Sequence, residues 1–205
     1  GSQGGIDYRR FSALDDDRMK ARGRLGGAGQ GDTPTFFAVR RLVVRMGLDM
    51  LIQASAALKR DGLVFRVFIG GSGPERRVIE EEIRRHDIGD RVRLLGRISE
   101  EDLPICYRAA DCAVLPSRAL ECFGLTILEA YAAGTPVIAT SVGAIPEVMG
   151  ADFRAWLTDD VTVESLAGRM AAFLRGELRA SETLLKARAR IFDVETRSSV
   201  FCDWL

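Results

Sequence analysis

Five short apolar runs constrain this chain more than any other feature: Phe36 to Val39, Val64 to Ile69, Val92 to Leu95, Ala113 to Leu115 and Val137 to Thr140, each bounded by Gly, Pro or charge. Such runs are expected of strands covered on both faces. Stretches with helical spacing lie between them. Leu48, Leu51, Ile52, Ser55 and Leu58 mark one helix, and Val78, Glu82 and Ile83 lie on another, for which Pro74 offers a first position. Ser99 with Asp102 resembles a capping box before LPICYRAAD, and Gly134 is placed to stop the helix TILEAYAA. Strand and helix in alternation predict a three-layer α/β/α, Rossmann-like domain on a mainly parallel sheet. Residues 162 to 205 read as helices.

Length and charge narrow the possibilities. At 205 residues, one compact domain with a single core is expected. Lys plus Arg equals Asp plus Glu at 29 each, so no overall basic field exists to capture nucleic acid, and a bound anion must be held by a local cluster. No apolar run approaches the roughly 18 residues of a membrane helix and no charged-then-apolar leader opens the sequence, so a soluble cytoplasmic protein is expected. Cys106, Cys112, Cys122 and Cys202 form no CxxC pair, which fits reduced thiols and gives no zinc spacing. The opening GSQGG reads as a cloning scar or flexible lead-in.

In an open parallel sheet, ligands sit outside the carboxyl ends of the strands. The loop after the first run, VRRLVVRMGLD, brings Arg40, Arg41 and Arg45 together, as an anion site or as solvated surface charge. The loop after the second run, IGGSGPE, has Gly70, Gly71 and Gly73, which let backbone approach a ligand. A dinucleotide fingerprint is disfavoured: Arg76 stands where the third glycine belongs, and the next strand ends in LLGR without a ribose-binding carboxylate. In LPSRALECFGLTILEAYAAGTPVIAT, Glu121 falls in a loop after a strand, Phe123-Gly124 should form a tight turn, and Thr126 should start a helix that carries Glu129. That arrangement sends two carboxylates and several amides toward one cleft, suited to sugar or ribose hydroxyls and to phosphate. Asp15-Asp16-Asp17 reads as a helix cap rather than a metal site. His86, alone of its type, is expected to face water, and Trp156 and Trp204 to serve packing.

The run from RRLVVRMGLDMLIQA through FIGGSGPE to RVRLLGRISEEDLPICYRAADCAVLPSRALECFGLTILEAYAAGTPVIATSVGAIPEV resembles the C-terminal half of a GT-B glycosyltransferase of glycosyltransferase family 4. GIDYRRF is similar to that family's hinge segment, and FDVETRSSVFCDW to its last, crossing helix. The resemblance implies a hinge-like segment at 1–14, a donor-binding domain at 15–190 and a crossing helix at 191–205. It implies a retaining, metal-independent transferase without a cofactor, whose donor is a UDP- or GDP-linked sugar. The acceptor site would lie on an absent N-terminal domain, where any membrane association would also reside, so this chain alone would be inactive. Residue by residue, Arg41 matches the arginine of GRL, and Met46 occupies the usual lysine position with Arg45 beside it, so either Arg45 reaches the diphosphate or the site is weakened. Glu121 would hold donor-sugar hydroxyls, the amides of Phe123, Gly124, Leu125 and Thr126 would contact sugar and phosphate, and Glu129 would bind the ribose. Gly71 would face the donor, and Arg97 and Ile98 would line the base. The alternatives are an inactive nucleotide-binding module and a nucleotide-sugar epimerase or phosphorylase-like relative.

Overall fold

The computed structural model describes residues 5–13, 18–24, 33–119 and 121–194. Two helices, α1 (Tyr8–Ser12) and α2 (Arg18–Arg24), precede β1 (Thr35–Val39). Then α3 (Leu48–Arg60), β2 (Arg66–Gly70), α4 (Arg76–Arg85), β3 (Val92–Gly96), α5 (Asp102–Ala109), β4 (Cys112–Leu115), α6 (Leu125–Ala132) and β5 (Val137–Ala139) alternate, and α7 (Ile145–Met149), α8 (Val163–Leu174) and α9 (Glu182–Arg190) follow. Every strand pairing is parallel, in the order β3-β2-β1-β4-β5. The winding reverses between β1 and β4, which makes that gap the topological switch point.

The core grows on both faces because side chains alternate along β1. Phe36 packs against Phe65 and Phe173, with ring centroids 6.2 and 5.5 Å away, on the side where α3 meets α8. Phe37 meets the Tyr107 ring edge to face at 5.3 Å, on the side of α5 and α6. These contacts make three layers. In α3, Leu48, Leu51, Ile52, Ser55 and Leu58 are all buried, with Asp49 in the first turn and Lys59 and Arg60 in the last, as the helix dipole favours.

Local signals place the other boundaries. The Ser99 hydroxyl accepts from Asp102 N at 3.0 Å and opens α5, and Gly134 at φ 77° closes α6. Two expectations shift. Pro74 precedes α4 instead of opening it, because Glu75 N donates to Leu42 O at 3.1 Å and ties the Pro74-Glu75 turn to the loop after β1. Strand β2 begins at Arg66, two residues beyond Val64, whose side chain is exposed. Trp156 is buried beside Phe173, 6.0 Å between centroids. His86 lies just past α4, 3.4 Å from Glu82. Asp15 to Asp17, Cys202 and Trp204, and the greater part of the expected crossing helix, lie outside the described residues.

The two ends of the described chain run together. Ile6 N donates to Phe192 O and Val194 N donates to Ile6 O, both at 3.0 Å, and Tyr8 N donates to Asp193 Oδ1 at 3.4 Å. The expected hinge segment contains α1, capped by Asp7 and anchored through buried Tyr8 and Phe11.

Candidate functional site

All the loops that carry the candidate residues emerge at the carboxyl rim of the sheet, and contacts between them build one floor. Gly71, at φ 130°, lets the loop after β2 lie on the loop after β1: a Cβ there would fall 1.8 Å from Arg40 O. Arg118 N donates to Arg45 O at 2.9 Å and joins the loop after β4 to the loop after β1. Ala144 N donates to Glu121 O at 3.0 Å, and the Thr140 hydroxyl donates to Ser117 O at 2.6 Å, so the loop after β5 fixes the segment that holds Glu121. Ile98 packs against Gly70 at the end of β2.

The turn after Glu121 forms as expected, and α6 opens at Leu125, one residue before Thr126. Gly124 adopts φ 55° ahead of α6, and Ile127 N makes the first helical bond to Gly124 O at 2.8 Å. The amides of Leu125 and Thr126 therefore stand at the positive end of the helix, beyond its internal bonding. Phe123 is 60% exposed over that end. Glu129 lies three residues after Thr126 and so on the same helical face. Its Oε2 accepts from the Tyr107 hydroxyl at 2.9 Å. Burial raises the Glu129 pKa, while the Tyr107 hydrogen bond and the charge of Arg10 pull it back. Burial, with the Glu129 charge next, holds the Tyr107 pKa far above its usual value, so its hydroxyl remains a donor.

The three arginines of the first loop have different environments. Arg41 and Arg45 are exposed, as is Arg97. Arg40, grouped with Arg41 and Arg45 in the sequence as one candidate anion site, is buried. It donates to Glu121 Oε2 at 2.5 Å, Ser117 Oγ at 2.7 Å and Thr126 Oγ1 at 3.1 Å. Arg40 comes from the end of β1 and Glu121 from the loop after β4, so the pair straddles the switch point.

A cavity of about 410 Å³ lies elsewhere, lined by Pro34, Asp111, Pro136, Trp156 and Phe173. It sits at the amino ends of β1, β4 and β5, away from the loops that carry the candidate residues. The carboxyl rim brings together free helix amides, a guanidinium and two carboxylates. No helix of the described residues is long and apolar enough to cross a membrane.

Comparison with known proteins agrees with this topology. The profile of the family described as Glycosyl transferases group 1 matches residues 27–191. A D-inositol 3-phosphate glycosyltransferase of Salinispora tropica is 37% identical over 198 residues, covering 85% of this chain and 40% of that protein. The sucrose-phosphate synthase structure from Thermosynechococcus elongatus superposes with a TM-score of 0.83 at 27% identity, over 98% of this chain and 50% of the other. Anabaena HepE in complex with UDP and glucose gives 0.81 at 25%, over 97% and 54%. The chain thus spans about half the length of these relatives.

Proposed function

The chain belongs to the group 1 glycosyltransferases, as the C-terminal domain of a GT-B architecture, and from that premise we propose that it binds the nucleotide-sugar donor of a retaining, metal-independent glycosyl transfer. The observation that carries the reading is the Arg40–Glu121 pair across the switch point, beside the amide end of α6, the helix that also carries Glu129. Carboxylates accept from hydroxyls, so Glu121 serves the donor sugar and Glu129 the ribose. The amides of Phe123 to Thr126 and the arginines of the first loop serve the diphosphate. Gly71 gives the donor backbone access, and Arg97 and Ile98 border the base.

The chemistry follows from where charge develops. As the bond from the anomeric carbon to phosphate oxygen breaks, negative charge grows on the diphosphate and positive charge on the sugar ring. Amides and guanidinium stabilise the first, and a nearby carboxylate favours the second. The acceptor hydroxyl attacks on the face the diphosphate leaves and passes its proton to the departing oxygen, so configuration is retained without a protein nucleophile. The acceptor belongs to the N-terminal half of the enzyme, and this chain binds donor without turnover.

Anabaena HepE, whose structure holds UDP and glucose, makes UDP the first nucleotide to try, with GDP and ADP beside it. Calorimetry should find binding of at least one, weakened by Glu129→Ala. Transfer should appear only when the N-terminal half is supplied. Absence of binding by all three, or full turnover by this chain alone, would contradict the reading.

A further inference from the structure

The first loop supplies three arginines, and their environments are not equivalent. Arg40 N still donates to Gly70 O at 3.0 Å, so its backbone continues the strand and launches the side chain over the rim. The side chain is 6% exposed. Its guanidinium lies 2.9 Å from Met46 Sδ while it donates to Ser117, Glu121 and Thr126. One nitrogen is left without any partner: Arg40 Nε is buried and has no acceptor among the described residues. A buried donor left unmet is destabilising, and more so on a charged group, so a ligand oxygen that draws the guanidinium toward the rim would relieve it.

Thr126, which accepts from Arg40 Nη1, lies in the first turn of the eight-residue helix α6, so the guanidinium and the positive helix end meet. An anion at that helix start would have the guanidinium and the free amides within one turn of α6. Arg41 and Arg45 are exposed, where solvent screens an arginine's hold on an anion. Resting on the donor-site reading above, we propose that Arg40 is the principal cation for the donor's diphosphate. Glu121 holds its guanidinium in position before the donor arrives. Because the guanidinium lies against Met46 Sδ, a lysine at 46 would deliver its ammonium group to the same place.

The test is calorimetry of this chain with UDP, GDP, ADP and inorganic pyrophosphate. Arg40→Ala should weaken the nucleotide that binds by at least about tenfold, the worth of one charge-assisted hydrogen bond, and should remove detectable pyrophosphate binding. Arg41→Ala and Arg45→Ala should lose less. Arg40→Ala/Met46→Lys should recover most of the affinity, whereas Met46→Lys with Arg40 in place should gain much less, since the two cations would share one spot; equal gains in both backgrounds would mean that Arg40 does not hold the phosphates. Arg40→Ala/Glu121→Gln removes the orphaned carboxylate and should still fail to bind pyrophosphate, with near-UV circular dichroism confirming the fold of each variant. Undiminished binding by Arg40→Ala, or no recovery in a folded Met46→Lys double variant, overturns this inference and leaves the donor-site reading standing. If the unsubstituted chain binds none of the three nucleotides, both fall.

Discussion

The Tyr107 hydroxyl reaches from α5 to Glu129 on α6 and donates to its carboxylate at 2.9 Å, with the Tyr107 ring held between Phe11 and Phe37 at centroid distances of 6.1 and 5.3 Å. The carboxylate proposed for the ribose is therefore aimed by a side chain that cannot easily move. Tyr107→Phe keeps the ring and removes the donor. It should weaken nucleotide binding several-fold and raise the Glu129 pKa further, since the hydroxyl pulls that value down. Titrating the carboxyl by NMR in both proteins checks the second point.

The raised Glu129 pKa also sets a sign for stability. The folded state holds the Glu129 proton more tightly than the unfolded state does. The stabilisation from that proton is complete below the unfolded value and is lost as pH rises through the folded one. At neutral pH the buried charge is a cost, so Glu129→Gln, which keeps an acceptor for Tyr107, should raise Tm there. A gain of about 1 kcal/mol would appear as roughly 2–4 °C, shrinking as pH falls below the ordinary glutamate value of 4.5. Thermal melts from acid to neutral pH measure it, and a constant Tm difference would contradict the argument.

Glu121 positions Arg40, yet its charge also competes with a bound phosphate for that guanidinium, and Glu121→Gln keeps a positioning acceptor while removing the charge. Glu121→Gln should therefore bind the free nucleoside diphosphate more tightly than the unsubstituted chain, by about two- to tenfold, within the range of one hydrogen bond to a charged group. The same variant should bind the full nucleotide sugar less well, because the sugar loses a charged acceptor. Opposite changes for the two ligands, measured by calorimetry, are the expected signature.

Gly71→Ala would bring a Cβ to 1.8 Å from Arg40 O at a φ of 130° that side chains avoid. A loss of about 2 kcal/mol or more is expected from such backbone conflict. Chemical denaturation should detect it. Because the displaced carbonyl belongs to Arg40, donor affinity should fall as well, even under conditions where the variant remains folded.

Cys122 stands between Glu121 and Phe123 and is exposed, whereas Cys106 and Cys112 are buried. Burial pushes the Cys106 thiol up to about 12 and raises that of Cys112 as well. Thiolate is the reactive form, so in a Cys202→Ser background iodoacetamide should modify Cys122 first. A saturating nucleotide should slow that reaction if it covers the loop. Mass spectrometry of the labelled peptide gives the rate, and an unchanged rate would place the ligand elsewhere.

Much of the architecture was legible in the sequence. Short apolar runs located every strand to within two residues, although Arg66 and Arg93 interrupt the second and third of them. Ser99 and Gly134 marked their helix ends by local chemistry. The strand order was not legible, since no periodicity says that β4 lies beside β1. Glu121, Gly124 and Glu129 could be proposed because the loop and helix that hold them are contiguous. Tyr107 could not, as its partner is 22 residues away and on another helix. Arg40 was visible but grouped with Arg41 and Arg45, and only the tertiary structure separates a guanidinium sealed under the rim from two at the surface.

The pairing of Ile6 with Phe192 and Val194 brings entry and exit of the described chain to a single doorway. A neighbouring body joined through both strands would be tethered at one spot, free to pivot about it yet resistant to sliding. Phe11, a few residues inside that doorway, leans on Tyr107 and hence on Glu129. Swivelling there would be felt, through two aromatic rings, by the acid proposed for the ribose.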